Sequence, residues 1–389
     1  MRSRNNRDVK KAGWCAWTLG LLIQIPAAAP DSTVFNKVFV DENGPQDIWL
    51  KGTGDLNGDR KPDLLAGGHG TGGLVWYENP GWKKHVIDAR ARFSTDGEVA
   101  DIDGDGKPDV AALHADALVW YQQPDWTLHV IDRRALHDLE VADLDGDGKP
   151  DIVARNQGAF SGRGDELHLY RQDSPTVWKH RVLPLPTNGE GLALADVDGD
   201  GDADIVVDRY WLENTGDVLE GKWPLREYAP DWAHPHTFVA TGDLNGDGRL
   251  DIVLAPAERE GQKARVSWFE APADLKNGRW KEHVVDDGVE CVRHFAGIAD
   301  FDRDGSADIV TAEMYQGRTK EIAIYKNGGA GEKWTKQVIA TTASHSMRIV
   351  DVNADGLPDL YGANWRSNVV ELWVNASSRS RLPKAAQAE

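Results

Sequence analysis

The chain predicts an all-β fold: a seven-bladed β-propeller of four-stranded blades, closed by an N-terminal strand that completes the last blade. Three observations carry this. A nine-residue acidic loop recurs seven times. Short β-type runs around each loop amount to four strands per repeat. The last repeat is one strand short, and one spare strand stands at the N-terminus.

The loop is seen in Asp143-Leu-Asp-Gly-Asp-Gly-Lys-Pro-Asp151. Position 1 is Asp55, Asp101, Asp143, Asp196, Asp243, Asp300 and Asp351; position 3 is Asn57, Asp103, Asp145, Asp198, Asn245, Asp302 and Asn353. Position 5 is Asp59, Asp105, Asp147, Asp200, Asp247, Asp304 and Asp355; position 9 is Asp63, Asp109, Asp151, Asp204, Asp251, Asp308 and Asp359. Hard cations such as Ca²⁺ take six to eight oxygens, and carboxylates on alternate residues around a glycine turn supply them. All 28 positions are therefore candidate Ca²⁺ ligands. An EF-hand would carry a glutamate at position 12 and flanking helices. Here position 2 is always apolar and position 9 runs into a β-type segment such as Ile152-Val-Ala154, so the loop joins two strands. Arg60 replaces the position-6 glycine of the first loop, which weighs against a cation there.

Taken in order, residues 1–29 read as a secretory signal peptide: Arg2, Arg4, Arg7, Lys10 and Lys11, an apolar stretch over Ala12–Ile25, and small residues to Ala29. The apolar part is too short to span a membrane. Cys15 leaves with that segment and Cys291 remains alone, so no internal disulfide forms. The propeller is expected over residues 30–376, and a disordered tail over 377–389. Phe35–Val40 is the spare strand. The second repeat shows the blade best: Glu98–Ala100 (strand A), the loop, Val110–Leu113 (B), Ala117–Tyr121 (C) and Trp126–Ile131 (D). The fourth repeat is the least regular. About half of the 16 Trp fall on strands C and D, as anchors between blades.

The formal charge of -19 is concentrated in the loops; seven Ca²⁺ would bring it to about -5. This balance argues against a nucleic-acid partner, which requires a basic face. The expected product is a secreted or periplasmic monomer without a transmembrane segment.

The loops resemble the FG-GAP or VCBS repeats of integrin α-subunits and many secreted bacterial proteins. That resemblance implies the propeller and its calcium sites, while the fold hosts both enzymes and binders.

Chemistry is expected at the end of the ring opposite the loops, where residues before strand A and after strand B converge on the channel mouth. Six residues before each first Asp stand Trp49, Thr95, His137, Glu190, Thr237, His294 and His345, with His236 one step off. Chance would put only ~0.2 His on seven such positions in this chain, yet three are there. His137, His236, His294 and His345 are candidate ligands for Zn²⁺ or another divalent metal, with Glu190 as ligand or base. Tyr210 is a candidate proton donor; Arg209 and Arg348 are candidates to neutralise a carboxylate or enolate. His85, His129 and His283 on the outer strands read as structural. No phosphate-binding glycine loop, nucleophile elbow or His-Glu-x-x-His occurs.

The site pattern suits a carbohydrate-active carbon–oxygen lyase or dehydratase. There is a fold-level similarity to aldos-2-ulose dehydratases and ulvan-type polysaccharide lyases. The alternatives are a non-catalytic module binding carbohydrate, another small polar ligand or protein, and a purely structural calcium-stabilised surface protein.

Overall fold

The computed structural model describes residues 33–157 and 164–377. The leader expected over 1–29 and residues 378–389 of the expected tail lie outside them. Residue 377 does not behave as tail: Ser377 Oγ accepts the Val34 amide at 3.1 Å.

The 28 strands of the described residues arrange as five four-stranded sheets and one of eight. The eight-stranded sheet is two four-stranded halves joined by one parallel bridge, Lys51 to Asp96, between neighbouring innermost strands. Seven four-stranded blades result, each running A-B-C-D outward in chain order, except the last. There, Phe35–Asp41 pairs antiparallel with Val370–Asn375, Phe35 opposite Asn375, as the spare-strand argument expects. Blade four is reduced to strands of three or four residues: Ala193–Ala195, Asp204–Val207, Tyr210–Leu212 and Leu225–Glu227.

The cores lie between blades. Seven buried apolar clusters each take side chains from two successive blades, including one that joins the last blade to the first through Tyr361, Leu372, Leu64 and Tyr77. Each blade thus buries both faces against neighbours, and closure leaves no blade face uncovered, the remaining sheet edges being the short outermost strands. The outer-strand histidines serve this packing. His85, His129 and His283 stack on Trp76, Trp120 and Trp268 at centroid distances of 4.2, 4.3 and 4.1 Å.

A polar stitch repeats with the blades. Every position-9 Asp is at most 1 % exposed. One oxygen accepts the amide of position 2 (2.8–3.2 Å) and the other the amide just after or at the end of strand C (2.7–3.0 Å). In six blades the latter residue carries a carboxamide, which donates to the position-2 carbonyl of the preceding blade: Asn79 to Val352, Gln123 to Leu56, Gln172 to Ile102, Asn214 to Leu144, Asn327 to Leu244 and Asn375 to Phe301. Blade five has Ala271 there and lacks the stitch. Asn79→Ala strands the Val352 carbonyl at the ring closure. We expect a loss of about 1–3 kcal/mol of stability, read as a lower denaturation midpoint in urea.

Candidate functional site

Five of the residues singled out six places before each first Asp line one cavity of about 250 Å³: Trp49, Thr95, His137, His294 and His345. Glu258, Met314, Gln316 and Trp365, from the ends of strands B and just beyond, complete it. The convergence follows from the fold, since strand A is innermost and each blade delivers the residue preceding it to the same opening.

Against the lining residues His137 and His294 lies a buried carboxylate ringed by imidazoles. Glu190 is 0 % exposed. Its Oε2 lies 3.6 Å from His137 Nε2 and 3.7 Å from His294 Nε2; its Oε1 lies 3.7 Å from His236 Nδ1. Gln157 donates to Oε2 as well. Glycines on both sides bring Glu190 here. A Cβ on Gly189 would sit 1.7 Å from the Pro235 carbonyl oxygen, and one on Gly191 (φ +95°) 1.9 Å from that of Thr237. Only glycine permits this approach, which the parallel bridge from Glu190 to His236 completes.

Asp138 orients His137. Its Oδ1 lies 3.1 Å from Nδ1, which fixes the ring with Nε2 turned to Glu190. Ligand atoms of His137, Glu190 and His294 all fall within 4.8 Å of one another. Both ring nitrogens of His294, Glu190 Oε1 and His236 Nδ1 are buried with no hydrogen-bond partner among the described residues. Buried polar atoms are seldom left so. Imidazole nitrogens and a carboxylate in this arrangement form a donor set that fits a divalent transition metal.

Charge is strongly coupled here. Burial opposes charge on His294, yet Glu190 and Glu258 (Oε1 at 3.4 Å) raise its pKa to about 9. Burial acts against the Glu190 carboxylate too, but His294 and His137 outweigh it and hold it below its usual range. His345 stacks on His294 at 3.9 Å; burial and then the His294 charge keep it well below its usual value, as a neutral imidazole. Trp49 and Trp365 meet edge to face at 6.1 Å and form the aromatic wall.

Three expected catalytic residues lie elsewhere. Arg209 lies in a two-residue turn, Asp208-Arg209, and Tyr210 directly after it enters strand C and the apolar core between blades three and four. Its hydroxyl accepts from Arg209 Nη2 at 3.0 Å, and Arg209 also pairs with Glu227. Neither lines the cavity. Arg348 stands on strand A of blade seven and is already neutralised by Asp96 and by Glu98 at 3.1 Å. It lines a second cavity of about 140 Å³ that meets the first at Thr95. Thr237 holds Trp232 Nε1 and the His234 carbonyl, and its neighbour His236 faces Glu190 instead. The aromatic wall and the orienting Asp138 went unassigned in the sequence, although Trp49 sat in the register and Asp138 adjoins His137.

In the acidic loops, positions 1, 3 and 9 gather in the second, third and fourth repeats, and positions 1, 3 and 5 in the sixth. The first, fifth and seventh have Asn at position 3. Position 5 is capped in several loops by the basic residue at position 7: Lys107 on Asp105 at 2.5 Å, Lys149 on Asp147 at 2.7 Å. Arg60 takes the left-handed conformation of the glycine it replaces (φ 68°), and its amide still reaches Asp55 Oδ2 at 2.7 Å, so the first loop keeps its backbone shape.

Comparison with known proteins agrees with this architecture. The FG-GAP-like repeat matches residues 55–112, 143–207 and 300–362, and the FG-GAP repeat matches 237–265. Integrin alpha pat-2 of Caenorhabditis briggsae is 27 % identical over 159 residues, 33 % of this chain but only 13 % of the integrin. Among solved structures, rhamnogalacturonan lyase YesW aligns with a TM-score of 0.54 at 15 % identity, over 90 % of this chain and 77 % of the lyase. The BBS1N chain solved in complex with ARL6DN aligns with a TM-score of 0.56 at 9 % identity, over 91 % of this chain and 98 % of that one. At these identities the two structures bear on fold alone. The chain carries FG-GAP repeats on an all-β propeller. No helix among the described residues is long and apolar enough to cross a membrane.

Proposed function

We propose that the protein is exported, stabilised by Ca²⁺ in its acidic loops, and acts as a carbon–oxygen lyase on sugars at the histidine-lined cavity. The observation that carries this reading is the buried His137–Glu190–His294 set opening beneath an aromatic wall. Export is supported by the leader-like N-terminal sequence and by the likeness to an integrin; the fold-level likeness to a polysaccharide lyase is consistent with the chemistry.

His137, Glu190 and His294, with His236 beside Glu190 Oε1, would hold a divalent cation such as Zn²⁺; bound there, it would supply Lewis-acid polarisation of a sugar carbonyl or carboxylate. The chain's own groups do the rest. Trp49 and Trp365 give a sugar ring apolar faces to stack on, and Asp138 fixes His137. His345 and Glu258, both on the cavity wall, are placed to move protons. Elimination removes the proton from the carbon α to the carbonyl group and forms a carbon–carbon double bond. The β carbon–oxygen bond breaks, and the departing oxygen takes up a proton.

The test is incubation of the purified protein with a panel of polysaccharides, following the ultraviolet absorbance of the unsaturated product, alongside elemental analysis. We expect absorbance to rise with at least one substrate, and a stoichiometric transition metal that is lost in Glu190→Ala. Calcium alone, unchanged in that variant, would remove the metal centre from the reading; no unsaturated product from any substrate would remove the lyase.

A further inference from the structure

An open groove of about 610 Å³ adjoins the cavity and shares Gln316 and Trp365 with it. Three cations line it, Arg318, Lys320 and Arg366, against one carboxylate, Glu260. In a chain of formal charge -19, a surplus of positive charge beside the cavity runs against the overall balance. Two of these cations rest on aromatic faces rather than on carboxylates. Arg366 lies 4.4 Å from the Trp365 ring centroid and 5.7 Å from that of Tyr315; Lys320 Nζ lies 4.4 Å from Tyr315. Among the described residues neither has an ion-pair partner within 4.0 Å. Arg318 is 79 % exposed and only loosely paired, its Nε 3.8 Å from Glu290. Tyr315 is itself 43 % exposed.

We propose that this groove holds the continuing strand of an anionic polysaccharide whose sugar residues bear carboxylates, so that the substrate of the adjoining cavity is a uronate-containing glycan. That this glycan is a substrate rests on the lyase reading, but the groove's preference for an anionic glycan stands on the groove alone. Sugar rings and aromatic faces match: Tyr315 and Trp365 offer apolar planes, while Arg318, Lys320 and Arg366 present unneutralised donors at their rims. Cations on aromatic rings lose little when a carboxylate arrives, because a ring quadrupole at an exposed site attracts them only weakly. A nucleic acid also offers anions and flat rings. Nucleic-acid binders present an extended basic face, whereas here three cations stand in one groove of a chain of formal charge -19, and the glycan is favoured.

The experiment is affinity electrophoresis of the whole protein through gels holding polygalacturonate, neutral galactan or single-stranded RNA, repeated on the triple variant Arg318→Gln, Lys320→Gln, Arg366→Gln. We expect retardation by polygalacturonate and not by galactan, weakening at least about tenfold in the triple variant, roughly 1.4 kcal/mol. Added salt should weaken it as well, as befits exposed charges. Raising ionic strength on the unaltered protein gives the same answer should the variant fail to fold. Equal retardation by galactan, insensitivity to both the substitutions and salt, retardation by neither glycan, or stronger retention by RNA would each overturn the proposal. If polygalacturonate binds through these residues and no unsaturated product ever appears, the lyase reading fails and the anionic-glycan groove stands. Turnover of neutral glycans alone would reverse that outcome.

Discussion

His294→Ala is expected to abolish turnover, by roughly 10²–10⁴-fold in kcat, while glycan binding falls far less. The imidazole is 0 % exposed and faces Glu190 Oε2 at 3.7 Å and Glu258 Oε1 at 3.4 Å, with Phe238 against its ring at 4.2 Å. Its removal would take a donor from the proposed metal site and, with no cation there, the positive charge that holds Glu190 ionised. The aromatic wall, Trp49 and Trp365, stays in place to bind a ring. Kinetics on the reactive polysaccharide, with binding measured calorimetrically on the same sample, check the split. Equal loss of binding and turnover would mean the imidazole only shapes the cavity. A protein with binding and no turnover to lose would be a carbohydrate-recognition module, the principal alternative for this cavity.

Chelation should lower the melting temperature clearly at neutral pH. A ligand bound only by the folded state stabilises it by RT ln(1 + [L]/Kd), about 2.7 kcal/mol per site at a hundredfold excess over Kd. The second, third and fourth loops already gather three carboxylates each, and the seven loops offer 25 Asp in all. Without the cation, burial raises the position-9 carboxylates, to about 6 for Asp63, Asp109, Asp251 and Asp359 and to about 7 for Asp151, Asp204 and Asp308. A carboxyl whose folded pKa exceeds its unfolded value destabilises the fold as pH rises from about 4 through 7. The chelated protein should therefore melt higher at pH 5 than at pH 8, and the Ca²⁺-dependent increment should be larger at pH 8. Scanning calorimetry with and without chelator at the two pH values decides it. A melting temperature indifferent to chelator at pH 8 would mean that the loops are held by their own hydrogen bonds alone.

Much of this was legible along the chain because repetition amplifies weak local signals. A single Asp-rich loop could be a turn; seven, each with an apolar second residue and a ninth Asp, fix the register of strands A and B throughout. The ninth Asp has to be there whether or not a cation binds, since its two oxygens hold backbone amides in every blade. The deficit of one strand at one end and the surplus at the other likewise led to Phe35–Asp41 closing the ring. The same register brought Trp49, Thr95, His137, His294 and His345 together, because strand A is innermost in every blade.

What lay beyond the chain's own pattern were contacts between blades, which no periodicity encodes. Tyr210 and Arg209 stood where a mouth residue belongs, but the shortened strands of blade four turned them into a core and a surface ion pair. Arg348 was spoken for by Asp96 and Glu98, 252 and 250 positions away. Glu190 became the centre of the site through two glycines that let it lie against blade five, where His236 displaced Thr237. Local composition set the strands, the loops and which residues reach the mouth, because these depend on spacing within a repeat. The tertiary structure alone chose which of them meet, because that depends on distances across the channel between segments far apart in the chain.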